Sequence, residues 1–182
     1  MDLTAWAYPI AEAMLAEPLP RRWAHSKGVG ATAETLAPIL EEDADLLHAA
    51  ALLHDVGYSP AIAHSGFHPL DGGRYLRDQG ADERVVCLVA HHSCALLEAE
   101  ERGLRPQLEA EFPLPPEPLR SALIYCDMTT TPDGTRTTSE ARIAEIVGRY
   151  GPDTIVGRFI QRAAPEIHAA VDDVSQRLAV SR

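Results

Sequence analysis

Ala49-Ala50-Ala51-Leu52-Leu53-His54-Asp55-Val56-Gly57 is the stretch from which the rest of the chain can be read. Alanines followed by leucines form a helix that neighbours can approach closely, and Gly57 ends it just after two side chains that carry chemistry. Leu47, Ala50, Ala51 and His54 share one face at helical spacing, so the imidazole points inward at the end of an apolar stripe. Asp55 comes next. Adjacent residues diverge by about 100° around a helix, yet at a helix end a long imidazole and a short carboxylate can approach one ion from the same side.

Outward from this stretch, apolar residues recur at intervals of three and four, and strand-like alternation is missing. The chain therefore reads as all-α: a single helical domain over 1–182, with a core at about 21–128 and C-terminal helices over 139–178. The spacing predicts about seven or eight helices. The first runs from Leu3 to Leu15 and stops at Pro18-Leu19-Pro20, and the second covers Arg21 to Leu36. The third runs from Ala44, with Asp43 as its N-cap, to Asp55. The fourth starts at Pro69 and ends at Gly80. The fifth, capped by Asp82, continues through His92 toward Arg102. Five prolines between Gly103 and Pro118 predict an irregular connector. A helix over Leu119 to Asp127, a turn-rich loop from Thr129 to Thr138, a helix capped by Ser139 and ending at Gly151, and one or two more helices over Asp153 to Leu178 complete the chain.

Composition bounds the function. With 182 residues, 46% of them hydrophobic, the chain can bury one core without staples. Sixteen basic residues against 27 acidic ones leave a net charge of -11. That field opposes nonspecific binding to a nucleic-acid polymer or an anionic membrane, so a small-molecule partner is expected, and a homo-oligomer stays open. The cysteines, Cys87, Cys94 and Cys126, are odd in number and lack C-x-x-C spacing. This argues against a disulfide framework and a thiolate zinc site. A reducing, cytoplasmic setting is expected. Met1 to Leu15 has neither a basic leader region nor an unbroken apolar run, and no later stretch has the length of a membrane span.

Further candidates share the pattern of His54 and Asp55. His25 lies with Val29, Thr32 and Leu36 on the buried face of the second helix, and Asp127 ends a helix after Leu123 and Ile124. A buried carboxylate is costly unless a cation or hydrogen-bond donors compensate it. Two imidazoles and two carboxylates that all terminate apolar faces are most economically explained by a shared ion. Nitrogen and oxygen ligands without thiolate suit Fe, Mn, Co, Ni or Zn.

In this arrangement the chain resembles the HD-domain superfamily of metal-dependent phosphohydrolases. The resemblance rests on His25 in Trp23-Ala24-His25-Ser26, on Leu-Leu-His54-Asp55-Val-Gly, and on Asp127 in Tyr125-Cys126-Asp127, and it covers roughly His25 to Asp127. Members with two metals carry extra histidines between the dyad and the last aspartate. His68 resembles the first of these, and His91 or His92 the second. Helical spacing aligns His92 with Val85, Leu88 and Val89, whereas the family pattern favours His91. His91 is taken as the ligand, and His92 as a near-site alternative.

The resemblance implies that Asp55 bridges two ions, that His25, His54 and Asp127 hold one, and that His68 and His91 hold the other. It implies hydrolysis of a small phosphoester, a nucleotide or related phosphate, by a metal-bound hydroxide, with iron or manganese among the candidate metals. One or two divalent ions fit. The same scaffold also resembles mixed-valence di-iron oxygenases that cleave C–C or C–P bonds, and a non-catalytic binding or signalling module is a third class. For phosphate capture the candidates are Lys27, the sole lysine, placed beside His25 in the catalytic set with Asp55, and Arg74 on the helix after His68. Asp71, Asp133 and the hydroxyls of Thr129 to Thr135 are candidates for the border of the pocket.

Overall fold

A computed structural model describes residues 2–181 of the chain. Among these, eleven α-helices follow in order: α1 (Leu3–Leu15), α2 (Pro20–Glu34), α3 (Ala37–Leu40), α4 (Ala44–Leu53), α5 (His68–Asp78), α6 (Glu83–Ala90), α7 (Ala95–Glu101), α8 (Arg105–Glu111), α9 (Glu117–Met128), α10 (Ser139–Tyr150) and α11 (Ile155–Val180). Single 3₁₀ turns occupy Glu41–Asp43, Val56–Tyr58 and His92–Cys94. No strand occurs among the described residues, as the spacing predicts, and the only ladder-like contact is one bridge between Thr130 and Arg136. Among the described residues no helix is long and apolar enough to cross a membrane.

The alanine-leucine helix is the centre of the bundle. On α4, Leu46, Leu47 and every residue from Ala49 to Leu53 are buried, while Ala44, Asp45 and His48 stay half-buried, so the C-terminal half of the helix is covered on all sides. α1, α2, α6 and α9 supply that cover. The alanines of α4 permit this close approach, and each fully buried leucine contributes about 1.5–3 kcal/mol relative to exposure. A second apolar cluster lies at the other end, where Ile124 and Met128 of α9 meet Ile146 of α10 and Phe159, Ile160, Ala163 and Ile167 of α11. The site described below lies between the two clusters.

Three expectations are corrected. The fifth predicted helix breaks into α6 and α7, because Ser93 (φ 46°) and Cys94 (φ 62°) adopt left-handed backbone that an α-helix cannot contain. The proline-rich connector contains α8, whose Pro106 sits in the first turn where a missing N–H costs nothing. Capping also differs: the Asp43 side chain makes no cap bond, and Thr138, not Ser139, caps α10 by accepting from the Ala141 N–H. Asp82 does cap α6, through the Arg84 N–H.

Two close backbone approaches position the site. A Cβ at Gly57 would lie 1.9 Å from the His68 carbonyl oxygen, so only glycine lets the start of α5 pack on the turn after α4. A Cβ at Gly28 would lie 2.4 Å from the Gly134 carbonyl oxygen, so α2 and the 129–137 loop meet backbone to backbone. These contacts bring His68 to Asp55 and the loop to His25.

Candidate metal centre

Each candidate ligand is delivered by the end or the inner face of a helix. His25 comes from α2, His54 and Asp55 from the end of α4, His68 from the first turn of α5, and Asp127 from the last turn of α9. A sixth side chain, His92, comes from the turn between α6 and α7. His25, His54 and Asp127 form one group that could hold an ion, and Asp55, His68 and His92 form another, with the ligand atoms of each lying within 4.8 Å of one another. Asp55 lies between them. Its Oδ2 is 3.4 Å from His54 Nε2, and its Oδ1 is 3.5 Å from His68 Nε2.

Backbone carbonyls set the tautomer of three of the four imidazoles. His25 Nδ1 lies 2.9 Å from the Thr131 oxygen, His54 Nδ1 2.7 Å from the Ala51 oxygen, and His92 Nδ1 2.6 Å from the Val89 oxygen. A carbonyl oxygen can only accept, so Nδ1 carries the proton in each ring and Nε2 turns a lone pair inward. There the His25 lone pair meets a carboxylate oxygen, which can only accept, and the His92 lone pair meets a ring nitrogen of His68. His25 Nε2 lies 3.0 Å from Asp127 Oδ1, and His92 Nε2 lies 3.0 Å from His68 Nε2. His54 Nε2 is buried with no hydrogen-bond partner. Lone pairs and carboxylates facing one another in a buried space need a cation among them, so this donor set fits a divalent metal.

The electrostatics point the same way. Burial alone would raise the Asp55 carboxyl, but the Arg22 guanidinium beside it leads the charges that hold the group well below the usual carboxylate range. Asp127 is likewise held low against burial, with the Arg142 guanidinium among the charges that favour its anionic form. Burial pushes His54 and His68 down, which keeps them neutral and able to ligate. Ser93 donates its hydroxyl to Asp127 Oδ2, and the left-handed backbone at Ser93 aims it there.

His91 is not among the assembled side chains, which corrects its placement as a ligand. It follows the last residue of α6 with φ −114° and ψ 14°, and its ring turns away so that Nε2 donates to the Phe112 carbonyl at 2.8 Å. His92 takes the place in the site that the resemblance assigned to His91. Lys27 is corrected as well: it is exposed, its ammonium lies 5.3 Å from the Trp23 ring centre, and it does not line the pocket. Arg74 pairs with Glu111 on the outer face of α5.

The cation that the sequence reading missed is Arg22. Its Nη1 donates to Asp55 Oδ2 at 2.5 Å, and its guanidinium lies 3.5 Å over the Tyr58 ring. Tyr58 in turn stacks on His68 with ring centres 3.8 Å apart. The signal was present: Arg22 precedes His25 by three residues and so shares its helix face.

The 129–137 loop borders the site through its backbone. The hydroxyls of Thr129 and Thr130 donate to carbonyls of α9, Thr131 pairs with Thr135, and only the Thr131 carbonyl reaches a candidate ligand. Asp133 forms an exposed pair with Arg21, and Asp71 accepts from the His64 and Ser65 N–H groups, pinning the loop before α5.

Above the candidate ligands lies an open pocket with about 80 Å³ of free space. Its floor holds His25, Asp55, His68, His92 and Asp127, and one wall is apolar, made by Met128, Ile146, Val156, Phe159 and Ile160. Arg22, Arg142 and Arg149 stand around it.

A tRNA (cytidine(56)-2'-O)-methyltransferase from Thermoplasma volcanium is similar to this chain, 36% identical over 85 residues. The shared segment makes up 45% of this chain and 25% of that protein, so the chain spans about a quarter of the relative's length. No solved structure matches the chain at a significant level. A family model described as the HD domain matches residues 22–149, a span that contains both groups of candidate ligands. The chain belongs to the HD domain family.

Proposed function

We propose that the protein is a metal-dependent phosphohydrolase that cleaves a small phosphoester, a nucleotide or related phosphate. One observation carries this reading: two groups of nitrogen and oxygen donors meet at the floor of an open pocket, where Asp55 of one group reaches His54 of the other and the inward lone pairs are set by backbone carbonyls. A pair of divalent cations held there would supply positive charge to a phosphoryl group and acidify water. His25, His54 and Asp127 would hold one ion, His68 and His92 the other, and Asp55 both.

The chain's own residues do the rest. Arg22 adds a fixed positive charge at the pocket and is oriented by Tyr58, which also locks the His68 ring by stacking. The apolar wall of α10 and α11 excludes water from one side of the bound ester and favours a substrate with a compact organic group. The net charge of -11 still disfavours polymers, so capture depends on local cations. The methyltransferase activity named for the relative belongs to a protein four times as long as the shared segment and is not carried over.

The test is a panel of phosphomonoesters and phosphodiesters against protein loaded with Mn, Co or Fe, with phosphate release and oxygen uptake measured together. Phosphate release without oxygen uptake is expected. Oxygen uptake with iron and no phosphate release would replace the proposal with the oxygenase reading, and inertness in both would leave a binding module.

A further inference from the structure

Arg142 is 7% exposed, and its Nε is buried with no hydrogen-bond partner. Burying a guanidinium with a donor unpaired is costly in a protein that gains nothing else from it. Its Nη1 pairs with Glu145 Oε2, while the other carboxylate oxygen of Glu145 lies 3.2 Å from Arg149 Nε. One carboxylate is thus held between two guanidinium groups from positions about two turns apart on α10. This is the geometry in which two arginines grip an oxyanion, filled here by a side chain.

The location adds to this. Arg142 and Arg149 line the pocket over the candidate metal ligands. Both also line an adjoining groove, together with Arg21, Arg22 and the prolines Pro18, Pro20 and Pro132. Arg22 and His25 border both spaces, so the groove and the pocket are continuous. In a chain of net charge -11, four arginines gather around this cleft; Arg21 and Arg22 each have a carboxylate partner of their own, while Arg142 and Arg149 share the single carboxylate of Glu145.

We propose that Arg142 and Arg149 form an oxyanion subsite beside the metal floor, so that the substrate is a small molecule with two anionic groups. The cleavable phosphoester lies over the candidate metal ligands. The second group, a carboxylate or phosphate, takes the place of Glu145 between the guanidinium groups. This rests on the phosphohydrolase reading only for which of the two anions is cleaved.

The test compares matched pairs that differ by one anionic group. For turnover, the pair is phosphoglycolate and ethyl phosphate. For binding to the metal-loaded protein without hydrolysis, calorimetry uses phosphonoacetate and ethylphosphonate. Wild-type protein should prefer the two-anion member of each pair by at least about tenfold, the size of one charge-assisted hydrogen bond. In Arg142→Gln and in the more exposed Arg149→Gln that preference should collapse, with KM rather than kcat carrying the loss. A purely structural role would lower both members of a pair alike and leave their ratio intact. Absence of preference in the wild type, or an unchanged ratio in both variants, would overturn the subsite. Selective phosphonoacetate binding without hydrolysis of any ester would retain the subsite and remove the phosphohydrolase reading.

Discussion

Two helix ends bring histidines to the same floor, and they do it in different ways. At the end of α4, His54 keeps helical backbone (φ −54°, ψ −34°), so the stripe of Leu47, Ala50 and Ala51 aims its ring. At the end of α6 the helix has already stopped when the histidines arrive, and Ser93 and Cys94 turn the chain through left-handed backbone. The first end obeys a periodicity that can be counted in the sequence. The second depends on a turn whose shape is fixed by what surrounds it, and there neighbouring imidazoles face opposite ways.

The sharpest way to break the comparison is to remove the first end. His54→Ala and Asp55→Ala should each lose most bound metal and lower activity more than about a hundredfold, because one takes a ligand and the other the carboxylate that lies between the two groups. Elemental analysis beside the activity assay measures this, and full metal content in both variants would show that the floor is not a metal site.

Metal removal should separate the two ends by their dynamics. If metal binds only the folded chain, withdrawing it at about 100–1,000 times its dissociation constant costs about 3–4 kcal/mol of stability. A chelator should therefore lower Tm. Hydrogen exchange should rise more at residues 91–94 than at 53–57, since the 91–94 turn holds two strained residues and the end of α4 lies deep in the core. Equal exchange at both would mean that the second turn is held by packing alone.

The neighbouring histidines supply a finer contrast. His92→Ala should reduce the metal content by about half, whereas His91→Ala should keep it and cost about 1–3 kcal/mol of stability by leaving the buried Phe112 carbonyl unpaired. Denaturant unfolding with metal analysis distinguishes the pair. The smallest effect belongs to Lys27→Ala, which should shift stability by less than about 0.5 kcal/mol and KM by less than about twofold, as befits an exposed cation outside the pocket.

What was legible in the sequence follows from this contrast. The all-helical class, the burial of α4 and the inward faces of His25, His54 and Asp127 are local consequences of helical period, and period is written in the residues. His92 was also favoured by period, from Val85, Leu88 and Val89, while the family pattern drew the choice to His91. The cation was missed for another reason. Lys27 and Arg22 are both near His25 in the chain, but only Arg22, three residues before it, shares its side of α2 and finds Asp55. The break between α6 and α7 had no sequence signal, since neither serine nor cysteine favours a left-handed backbone. The helix in the proline-rich segment was hidden by reading Pro106 as a breaker when it stands in a first turn.

The carbonyls of Ala51, Val89 and Thr131, which hold the three imidazoles, have a consequence for how this centre can change over generations. Every amino acid carries a main-chain carbonyl, so replacing the residue at any of these positions leaves the acceptor in place as long as the chain keeps its path. A site whose outer contacts were side chains could be lost one substitution at a time. Here the orienting contacts are protected from ordinary drift, and the inherited weak points are instead the places where backbones touch, Gly57 against His68 and Gly28 against Gly134, where a single added methyl group would push the ligands apart.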